Sequence, residues 1–436
     1  MAQRPVVYDI TRLVTRVFKR TPNGIDRVDS SLASHFLSRD AADRSGLMMT
    51  AIGPRVLTPA GARDAIEDIR KHWGEDAEPE TDEHYRAVVA AIDGARESAT
   101  RISKGRKGQY AGAWSWIGRH GFPIGQSPRK FLAPSGVYLN VSQFLLESTG
   151  YLHWLENQDY IDAVFFIHDL LPLQMPEYFL PAEYPRHARR MKVLARLGRA
   201  AIVSTAAVRD ALSRHLATLG RTDMPILVAP LPPDPIFAAR NPFETPTDRH
   251  PYFLMCGTIE PRKNHLLILQ IWRDLVAELG ERAPKLVLVG ARGWENELIV
   301  DMLERCPGLR SHVIEASGLP TPSVKQLMLE SRALLMPSFA EGYGLPIVEA
   351  LAAGVPVIAS DIPVFREIGG GRLMTVDPTD GPGWRAAIQA FTDKDSPERA
   401  AYLAKLDGYS PPDWPGFFDK IEAFLDDLPR LNRRAA

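Results

Sequence analysis

Two carboxylates eight residues apart are the most chemically suggestive feature of the sequence. Glu341 and Glu349 flank the turn Gly342-Tyr343-Gly344, which lies between the apolar run ALLMP and the stretch IVEALAAG. The first predicts a buried strand and the second an amphipathic helix. A turn that leads into a helix exposes backbone N–H groups, which bind phosphate oxygens. Because a carboxylate in the first helical turn, where we expect Glu349, can accept both hydroxyls of a ribose, the pattern predicts a nucleotide-sugar site.

Two adjacent cations, Arg262 and Lys263, form a second suggestive feature. They lie in CGTIEPRKNHLLILQIWRDL (256–275), where a predicted strand ends and a predicted helix begins. A diphosphate leaving group gains charge as its bond to a sugar breaks, so fixed cations stabilise the transition state more than the ground state. The alternative is a solvated helix start, but cations at a helix N-terminus oppose the helix dipole. The pattern therefore favours a diphosphate site.

Both features resemble the signature of retaining glycosyltransferases of family 4. That family has an E-x7-E pattern followed by a G-x-P-V turn and strand, and here Glu341 and Glu349 are followed by Gly354-Val355-Pro356-Val357. The family also places an Arg and a Lys against the donor diphosphate, at positions that match the two cations of PRKN. The resemblance is strong over residues 250–380 and weaker before them. It implies that Glu349 binds the ribose and that Glu341 binds the transferred sugar.

The resemblance extends to two segments of the first half of the chain. His168 ends the predicted strand AVFFI, where the family suggests a hydrogen bond, from side chain or backbone, to the donor sugar near the reacting carbon. The alternative is a core histidine. Asn23-Gly24 lies where family members have a glycine-rich loop near the donor phosphate or the acceptor, although this chain has one glycine there and an ordinary helix-initiating turn is the alternative. The expected catalytic residues are His168, Arg262, Lys263 and Glu341, and the expected donor-binding residues are Gly24, Gly342, Tyr343, Gly344, Leu345 and Glu349.

The alternation of apolar runs and helical patterns predicts an α/β fold with parallel sheets covered on both faces. A proline-rich segment, 230–250, predicts a linker, and the alternation restarts after it. The resemblance implies the GT-B architecture, in which two doubly wound Rossmann-like domains face each other across a cleft. We expect an acceptor-side domain at 1–235 with an insertion at 55–130, a nucleotide-sugar-binding domain at 236–410, and a helix at 411–436 that crosses back to the first domain.

The composition excludes several other classes of protein. A chain of 436 residues with 45% apolar and 24% charged residues is typical of a soluble globular protein with two domains. The net charge of −1 argues against a nucleic-acid partner, and two cysteines without metal-binding spacing argue against a disulfide scaffold or a zinc site. The sequence shows no signal peptide and no apolar run of membrane-spanning length, so we expect a cytoplasmic protein.

Asp393-Lys394-Asp395 matches the D-x-D motif that holds a divalent metal in the other glycosyltransferase fold. It follows a predicted helix rather than a strand and lies among charged residues, so a solvated surface segment is the preferred interpretation. Because Arg262 and Lys263 already meet the charge of a diphosphate, we expect neither a required metal nor a cofactor.

A basic, tryptophan-containing segment, 101–131, interrupts the pattern of the first half. It combines seven Lys or Arg residues with Trp114, Trp116 and Phe122. Such a composition suits an anionic membrane surface or a lipid-diphosphate acceptor, which would place the protein peripherally at the inner face of the cytoplasmic membrane. A plain loop insertion is the alternative.

These patterns and the family resemblance together imply a retaining, metal-independent hexosyltransferase. GDP-mannose is the first donor hypothesis because PRKN and EGYGLP look most like the mannosyltransferase branch, and the acceptor would be a glycan or lipid-linked oligosaccharide of a bacterial surface polysaccharide. The alternatives are a UDP-sugar-dependent transferase of the same fold and a non-transferring GT-B nucleotide-sugar 2-epimerase. A dinucleotide-dependent oxidoreductase is disfavoured because no G-x-G-x-x-G follows a predicted strand. A non-catalytic scaffold is disfavoured because the two cations and two carboxylates are intact.

Overall fold

The structure is a computed structural model that describes most of the chain. The described residues are 4–16, 22–38, 43–50, 53–73, 78–94, 101–103, 127–132, 135–148, 150–156, 158, 160–239 and 249–428. Their strands are β1 (Val6–Asp9), β2 (Arg44–Thr50), β3 (Gly53–Val56), β4 (Arg101–Ser103), β5 (Val137–Asn140), β6 (Asp162–Phe166), β7 (Gly198–Val203), β8 (Ile226–Val228), β9 (Tyr252–Cys256), β10 (Lys285–Val289), β11 (Val313–Ser317), β12 (Leu334–Met336), β13 (Val357–Ser360) and β14 (Met374–Val376).

The helices alternate with these strands over most of the chain. They are α1 (Thr11–Arg16), α2 (Gly24–Ser38), α3 (Pro59–His72), α4 (Glu83–Ile92), α5 (Pro128–Phe131), α6 (Leu171–Gln174), α7 (Glu183–Leu197), α8 (Ala206–Thr218), α9 (Pro235–Ala238), α10 (His265–Leu279), α11 (Glu297–Arg305), α12 (Thr321–Glu330), α13 (Leu345–Ala352), α14 (Pro363–Gly369), α15 (Gly381–Thr392), α16 (Pro397–Ala404) and α17 (Trp414–Asp427). Among the described residues, none of these helices combines the length and the apolar character needed to cross a membrane.

Two seven-stranded sheets organise the molecule. The first sheet has the order β3-β2-β1-β5-β6-β7-β8, and its pairs are parallel except β2 with β3. The second sheet has the order β14-β13-β12-β9-β10-β11-β4 and is parallel throughout. We refer to each sheet with its packed helices as the first and the second domain. The predicted α/β fold with two doubly wound domains is confirmed.

Alternating side chains of the central strands fill a separate apolar core on each face of a sheet. In β1, Val6 and Tyr8 belong to one core, whereas Val7 belongs to the core on the opposite face. In β9, Leu254 and Phe253 divide between the two cores of the second sheet in the same way. Side chains alternate across a strand, so strands that are apolar at every position are buried on both faces, as a parallel sheet covered by helices requires.

One segment of the first half of the chain belongs to the second domain. β4 pairs in parallel with β11 at the edge of the second sheet, and Arg101 lies opposite Glu315. Val88 and Ile92 of α4 are buried in the same core as Ile102. The prediction that 55–130 is an insertion of the first domain is therefore wrong for α4 and β4. The strands β2 and β3 were not predicted either, although both belong to the first sheet.

The last described helix packs on the first domain although it follows the second in sequence. Phe417, Ile421 and Leu425 of α17 are buried in a core of the first sheet. Trp414 Nε1 donates a hydrogen bond to the Pro233 carbonyl oxygen at 3.0 Å, which joins this helix to the connection between the domains. The chain therefore passes between the domains more than once, so several connecting segments link the two domains.

The predicted linker is partly ordered against the second domain. It contains α9, whose Phe237 is buried in a core of the second sheet. Residues 240–248 of the predicted linker lie outside the described residues. The described part of the segment therefore packs against the second domain.

Candidate active site

The carboxyl ends of two adjacent strands of the second sheet carry the predicted cations and one predicted carboxylate. β9 ends at Cys256, and the chain then forms a short 3-10 turn, Pro261–Lys263, before α10 begins. Asn264, with φ of 57°, takes a left-handed conformation between this turn and the helix. The neighbouring strand β12 ends at Met336 and leads into the loop that carries Glu341. Parallel neighbours end at the same edge of a sheet, so the two loops meet there.

A left-handed glycine determines where the next helix begins. Gly344 has a φ of 113°, a conformation that glycine adopts without strain, and α13 starts immediately after it at Leu345. Pro346 follows in the first helical turn, where its missing N–H costs no hydrogen bond. The helix begins two residues earlier than IVEALAAG suggests, so Glu349 is its fifth residue. The prediction that Glu349 lies in the first turn is therefore wrong.

Arg262, Lys263 and Glu341 form one ion-pair cluster. Glu341 Oε2 accepts a hydrogen bond from Arg262 Nη1 at 2.7 Å, and its Oε1 accepts one from the Lys263 ammonium group. Arg262 also donates to Glu260 Oε1 at 2.6 Å and to the Ala340 carbonyl oxygen at 2.6 Å. The side chains of both cations are only 14% exposed. Glu341 and the Ala340 carbonyl oxygen therefore hold the cations against the loop after β12, and neither cation faces solvent freely.

The cluster keeps Glu341 ionised. Burial alone would raise the pKa of its carboxyl group, but Arg262 and Lys263 outweigh burial and lower the pKa to about 2. Ser338 Oγ donates a further hydrogen bond to Glu341 Oε1 at 2.8 Å. A carboxyl group with this pKa is fully deprotonated near neutral pH and cannot act as a general acid there. In this structure Glu341 is therefore a charged partner that holds Arg262 and Lys263 in position.

Glu349 is paired with a cation of the first domain that the sequence analysis did not select. Arg27 of α2 donates from Nη1 to Glu349 Oε1 at 2.7 Å. The Glu349 side chain is only 6% exposed, and burial raises the pKa of its carboxyl group while Arg27 opposes that rise. The only sequence signal for this pair is a cation, Arg27, three residues after Gly24. Its neighbours in sequence do not indicate a partner 322 positions away.

Gly342 lies directly against the first domain. A methyl group at this position would come within 2.5 Å of the His168 carbonyl oxygen, so only glycine allows this approach. The Gly342 carbonyl oxygen accepts a hydrogen bond from Ser204 Oγ at 3.4 Å. Gly24 meets the second domain as well, since a methyl group there would lie 3.4 Å from Leu345 Cδ1. The loops that follow β6 and β7 and the start of α2 therefore face the site across the cleft.

His168 is a neutral side chain with one ring nitrogen already engaged. Its Nε2 lies 2.8 Å from the Val141 carbonyl oxygen, and because a carbonyl only accepts, Nε2 must carry the proton. Burial lowers the pKa of His168 to about 4. Near neutral pH its Nδ1 is then an acceptor, so the ring cannot donate from Nδ1 to a sugar hydroxyl. A donated hydrogen bond from His168 would have to come from its main chain.

The side chain of Tyr343 points away from the predicted site. Its hydroxyl donates a hydrogen bond to the Leu231 carbonyl oxygen at 2.7 Å. Its ring belongs to a core of the first domain that also contains Val348. Tyr343 therefore links the two domains through its side chain, and any contact with a donor would come from its backbone.

Stacked aromatic rings connect the two domains beside the Glu341 loop. Tyr178 of the first domain stacks on Phe339 of the second, with ring centroids 5.3 Å apart and 9° between the ring planes. Phe179 stacks on Trp294 at 6.3 Å, and Trp294 Nε1 donates a hydrogen bond to the Tyr178 carbonyl oxygen at 3.1 Å. Sequence analysis selected none of these rings, because their pairing depends on how the domains meet.

Asp393 and Asp395 belong to the turn after α15 and not to the cluster. Asp393 Oδ1 accepts a hydrogen bond from the Asp395 N–H at 3.0 Å, which is a local turn contact. The described residues contain no group of three or more His, Cys, Asp or Glu side chains that could hold a metal ion. To an anion, the described site offers Arg27, Arg262 and Lys263.

Solved structures define the class of this fold. The chain is similar to WaaG, a glycosyltransferase involved in lipopolysaccharide biosynthesis, with a TM-score of 0.60 over 97% of this chain and 100% of that one. It is also similar to an alpha,alpha-trehalose-phosphate synthase (UDP-forming) from Burkholderia vietnamiensis, with a TM-score of 0.57 over 97% of this chain and 99% of that one. The sequence identities are 15% and 14%, so these matches show the fold alone. The fold is GT-B, as predicted.

Sequence comparison shows the family of the second domain. Residues 239–399 match the family model described as glycosyl transferases group 1, so this part of the chain is a glycosyltransferase group 1 domain. The chain is 38% identical over 146 residues to O-antigen chain mannosyltransferase B of Escherichia coli, which is 33% of this chain and 38% of the relative. It is 28% identical over 229 residues to O-antigen chain mannosyltransferase RfbU of Salmonella typhimurium, which is 51% of this chain and 59% of the relative. The matches span less than two thirds of the length of these relatives.

Proposed function

We propose that this protein is a retaining, metal-independent glycosyltransferase that moves a hexose from a nucleotide sugar to a glycan or lipid-linked acceptor of a bacterial surface polysaccharide. The observation that carries the proposal is the ion-pair cluster of Arg262, Lys263 and Glu341 at the carboxyl edge of the second sheet, with Glu349 on the next helix. A donor at this edge would meet an acceptor from the first domain across the cleft. GDP-mannose is the first donor to test, because the similar O-antigen enzymes are named mannosyltransferases.

In the mechanism that fits these residues, a phosphate oxygen of the donor accepts the proton of the acceptor hydroxyl. As the bond between the anomeric carbon and the diphosphate oxygen breaks, negative charge grows on that oxygen, and Arg262 and Lys263 stabilise it. The acceptor hydroxyl bonds to the anomeric carbon from the same face, and its proton passes to the departing phosphate oxygen, so the configuration is retained. The carboxyl group of Glu341 has a pKa of about 2, so it is deprotonated near neutral pH and cannot protonate the leaving oxygen. Instead it holds the two cations beside the leaving group.

We further propose that the protein acts in the cytoplasm and that 101–131 makes the peripheral contact with membrane or acceptor. Seven basic residues and the two tryptophans, Trp114 and Trp116, support this proposal. Both tryptophans lie outside the described residues. The described residues 101–103 form β4, so the plain-loop alternative does not hold for that part of the segment.

Hydrolysis of labelled nucleotide sugars without an acceptor tests the proposed activity. The purified chain is incubated with GDP-mannose, UDP-glucose or ADP-glucose in EDTA, and the released nucleoside diphosphate and hexose are separated by chromatography. We expect slow release from one donor, because water then takes the place of the acceptor. EDTA should leave the rate unchanged, since two fixed side-chain cations meet the charge of the leaving group.

Other outcomes of this assay separate the alternatives. A nucleotide-sugar epimerase would return a sugar with an inverted centre, which the same chromatography resolves. A strict requirement for Mn²⁺ or Mg²⁺ would contradict metal independence and would restore Asp393 and Asp395 as candidate ligands. Release from none of the three donors, with or without Mn²⁺, would count against the proposed transferase.

A further inference from the structure

Arg27 reaches from the first domain into the proposed donor site. It lies on α2, one turn after Gly24, and its Nη1 donates to Glu349 Oε1 at 2.7 Å. The start of α2 also contacts the start of α13, because a methyl group at Gly24 would lie 3.4 Å from Leu345 Cδ1. The Arg27 side chain is 26% exposed, whereas that of Glu349 is 6% exposed, so the guanidinium lies at the border between solvent and the buried carboxylate.

The Arg27 guanidinium has hydrogen-bonding capacity that its surroundings do not use. Its Nε is buried and finds no acceptor among the described residues. An arginine side chain carries five N–H donors in a planar fork that matches two oxygens of a phosphate. A buried donor without a partner is costly, so a further anionic or polar partner at this position would stabilise the guanidinium. Arg262 shows the same feature, since its Nε is also buried without a described acceptor.

Arg27 and Lys263 both act electrostatically on the thiol at the end of β9. The thiol of Cys256, the last residue of β9, has its pKa raised to about 12 by burial and by Glu349, while Arg27 and Lys263 oppose the rise. The Lys263 chain also passes the next residue, because a methyl group at Gly257 would lie 3.3 Å from Lys263 Cε.

The charges of the cluster favour a third cation for a diphosphate. Arg262 and Lys263 are ion-paired with Glu341 and Glu260, so the cluster has no net positive charge, although we still expect both cations to contact the leaving oxygen. A bound diphosphate adds about two negative charges to this buried edge, and such charge needs paired cations. Arg27 is bound to Glu349 on the helix that follows the Glu341 loop, and Glu349 is the group that we assign to the ribose.

We propose that Arg27 is a donor-binding residue that pairs with the diphosphate of the nucleotide sugar, while the ribose hydroxyls take its place on Glu349. This inference rests on the proposed function. In this structure Glu349 holds the guanidinium against α13 and keeps it in position. With the donor bound, the guanidinium exchanges a carboxylate for a phosphate, and Glu349 gains two hydroxyl donors. Because Arg27 belongs to the first domain, the exchange makes both domains part of the donor site.

Titration calorimetry with and without the phosphates tests this exchange. Wild-type protein and the variants Arg27→Ala and Arg27→Gln are titrated with GDP and guanosine, and in parallel with UDP and uridine and with ADP and adenosine. We expect both variants to bind the nucleoside diphosphate at least about tenfold more weakly, which corresponds to about 1.4 kcal/mol. Nucleoside affinity should not fall, because the ribose no longer competes with Arg27 for Glu349. Arg189→Ala, which removes an exposed cation of α7, should behave as wild type.

The outcomes distinguish this inference from the proposed function. If the wild type binds a nucleoside diphosphate and both Arg27 variants bind it equally well or more tightly, Arg27 is only a link between the domains and the inference is overturned. An equal loss for nucleoside and nucleoside diphosphate also overturns it, because the phosphates would then play no part. If the wild type binds none of GDP, UDP and ADP, the proposed function fails first. The Gln variant keeps an N–H donor for Glu349 and so preserves the contact between the domains. A loss of binding shared by both variants is then not explained by unfolding of the Ala variant.

Discussion

Replacement of Arg262 by alanine is expected to lower kcat by at least about a hundredfold, the effect of removing a group that stabilises charge mainly in the transition state. Lys263→Ala should give a loss of the same order, because the ammonium group lies on the other oxygen of Glu341 and, in the proposed site, would face the same leaving group. Initial rates of donor hydrolysis, measured at saturating donor, report kcat directly. Near-normal turnover in either variant would remove the leaving-group role.

The ion pairs of Arg262 add a stability effect that must be separated from the rate effect. Its removal leaves Glu260 and Glu341 buried without their shared partner, and breaking a buried pair in this way costs about 3–5 kcal/mol. The variant should therefore melt at a lower temperature, and rates should be compared well below that temperature. Arg273→Ala is the matched control, because Arg273 lies on α10 near the cluster in sequence but is exposed.

Replacement of Glu349 by glutamine is expected to weaken nucleoside binding at least about tenfold, or about 1.4 kcal/mol. A carboxylate can accept from both ribose hydroxyls, whereas an amide offers one acceptor oxygen and presents N–H donors at the other position. The change also removes the charge that now pairs with Arg27. Calorimetric titration with nucleoside measures the loss without any contribution from the phosphates.

Nucleoside diphosphate binding by Glu349→Gln can contradict the ribose assignment, and Glu297→Gln is the matched control. If Glu349→Gln binds free nucleoside diphosphate as tightly as the parent, the ribose assignment is wrong and Glu349 serves only to hold Arg27. Glu297→Gln changes an exposed acid at the start of another helix of the same domain, so it should leave binding unchanged. A KM increase with little change in kcat would agree with a contact made equally in ground and transition states.

The cluster at the second sheet could be predicted because its signals are local. Each strand end, turn and helix start lies within a short stretch of sequence, and the cations and carboxylates stand beside them. The start of α13 was misplaced by two residues because Gly344, with φ of 113°, begins the helix before its apolar pattern starts. The position of Glu349 in the helix followed from that shift.

The features that were missed depend on contacts between distant parts of the chain. The position of Arg27 in the site could not be predicted, because its partner Glu349 lies 322 positions later. In the same way, β4 pairs with a strand that follows it by more than two hundred residues. Tyr343 was expected in the donor site by its place in the motif, but its hydroxyl binds Leu231 in the connection between the domains. Periodicity describes which side of an element is buried and carries no information about which distant element covers it.

The melting temperature with nucleotide sugars tests the central claim most directly, namely that the edge of the second sheet with Arg262, Lys263 and Glu349 binds a nucleoside diphosphate sugar. A ligand that binds the folded protein alone stabilises it by about 2.7 kcal/mol at a hundred times its Kd. We predict that one of the GDP-, UDP- or ADP-linked sugars raises the melting temperature of the wild type and that Glu349→Gln shows a much smaller rise at the same concentration. Equal rises in both proteins, or no rise with any of the three, would contradict the account.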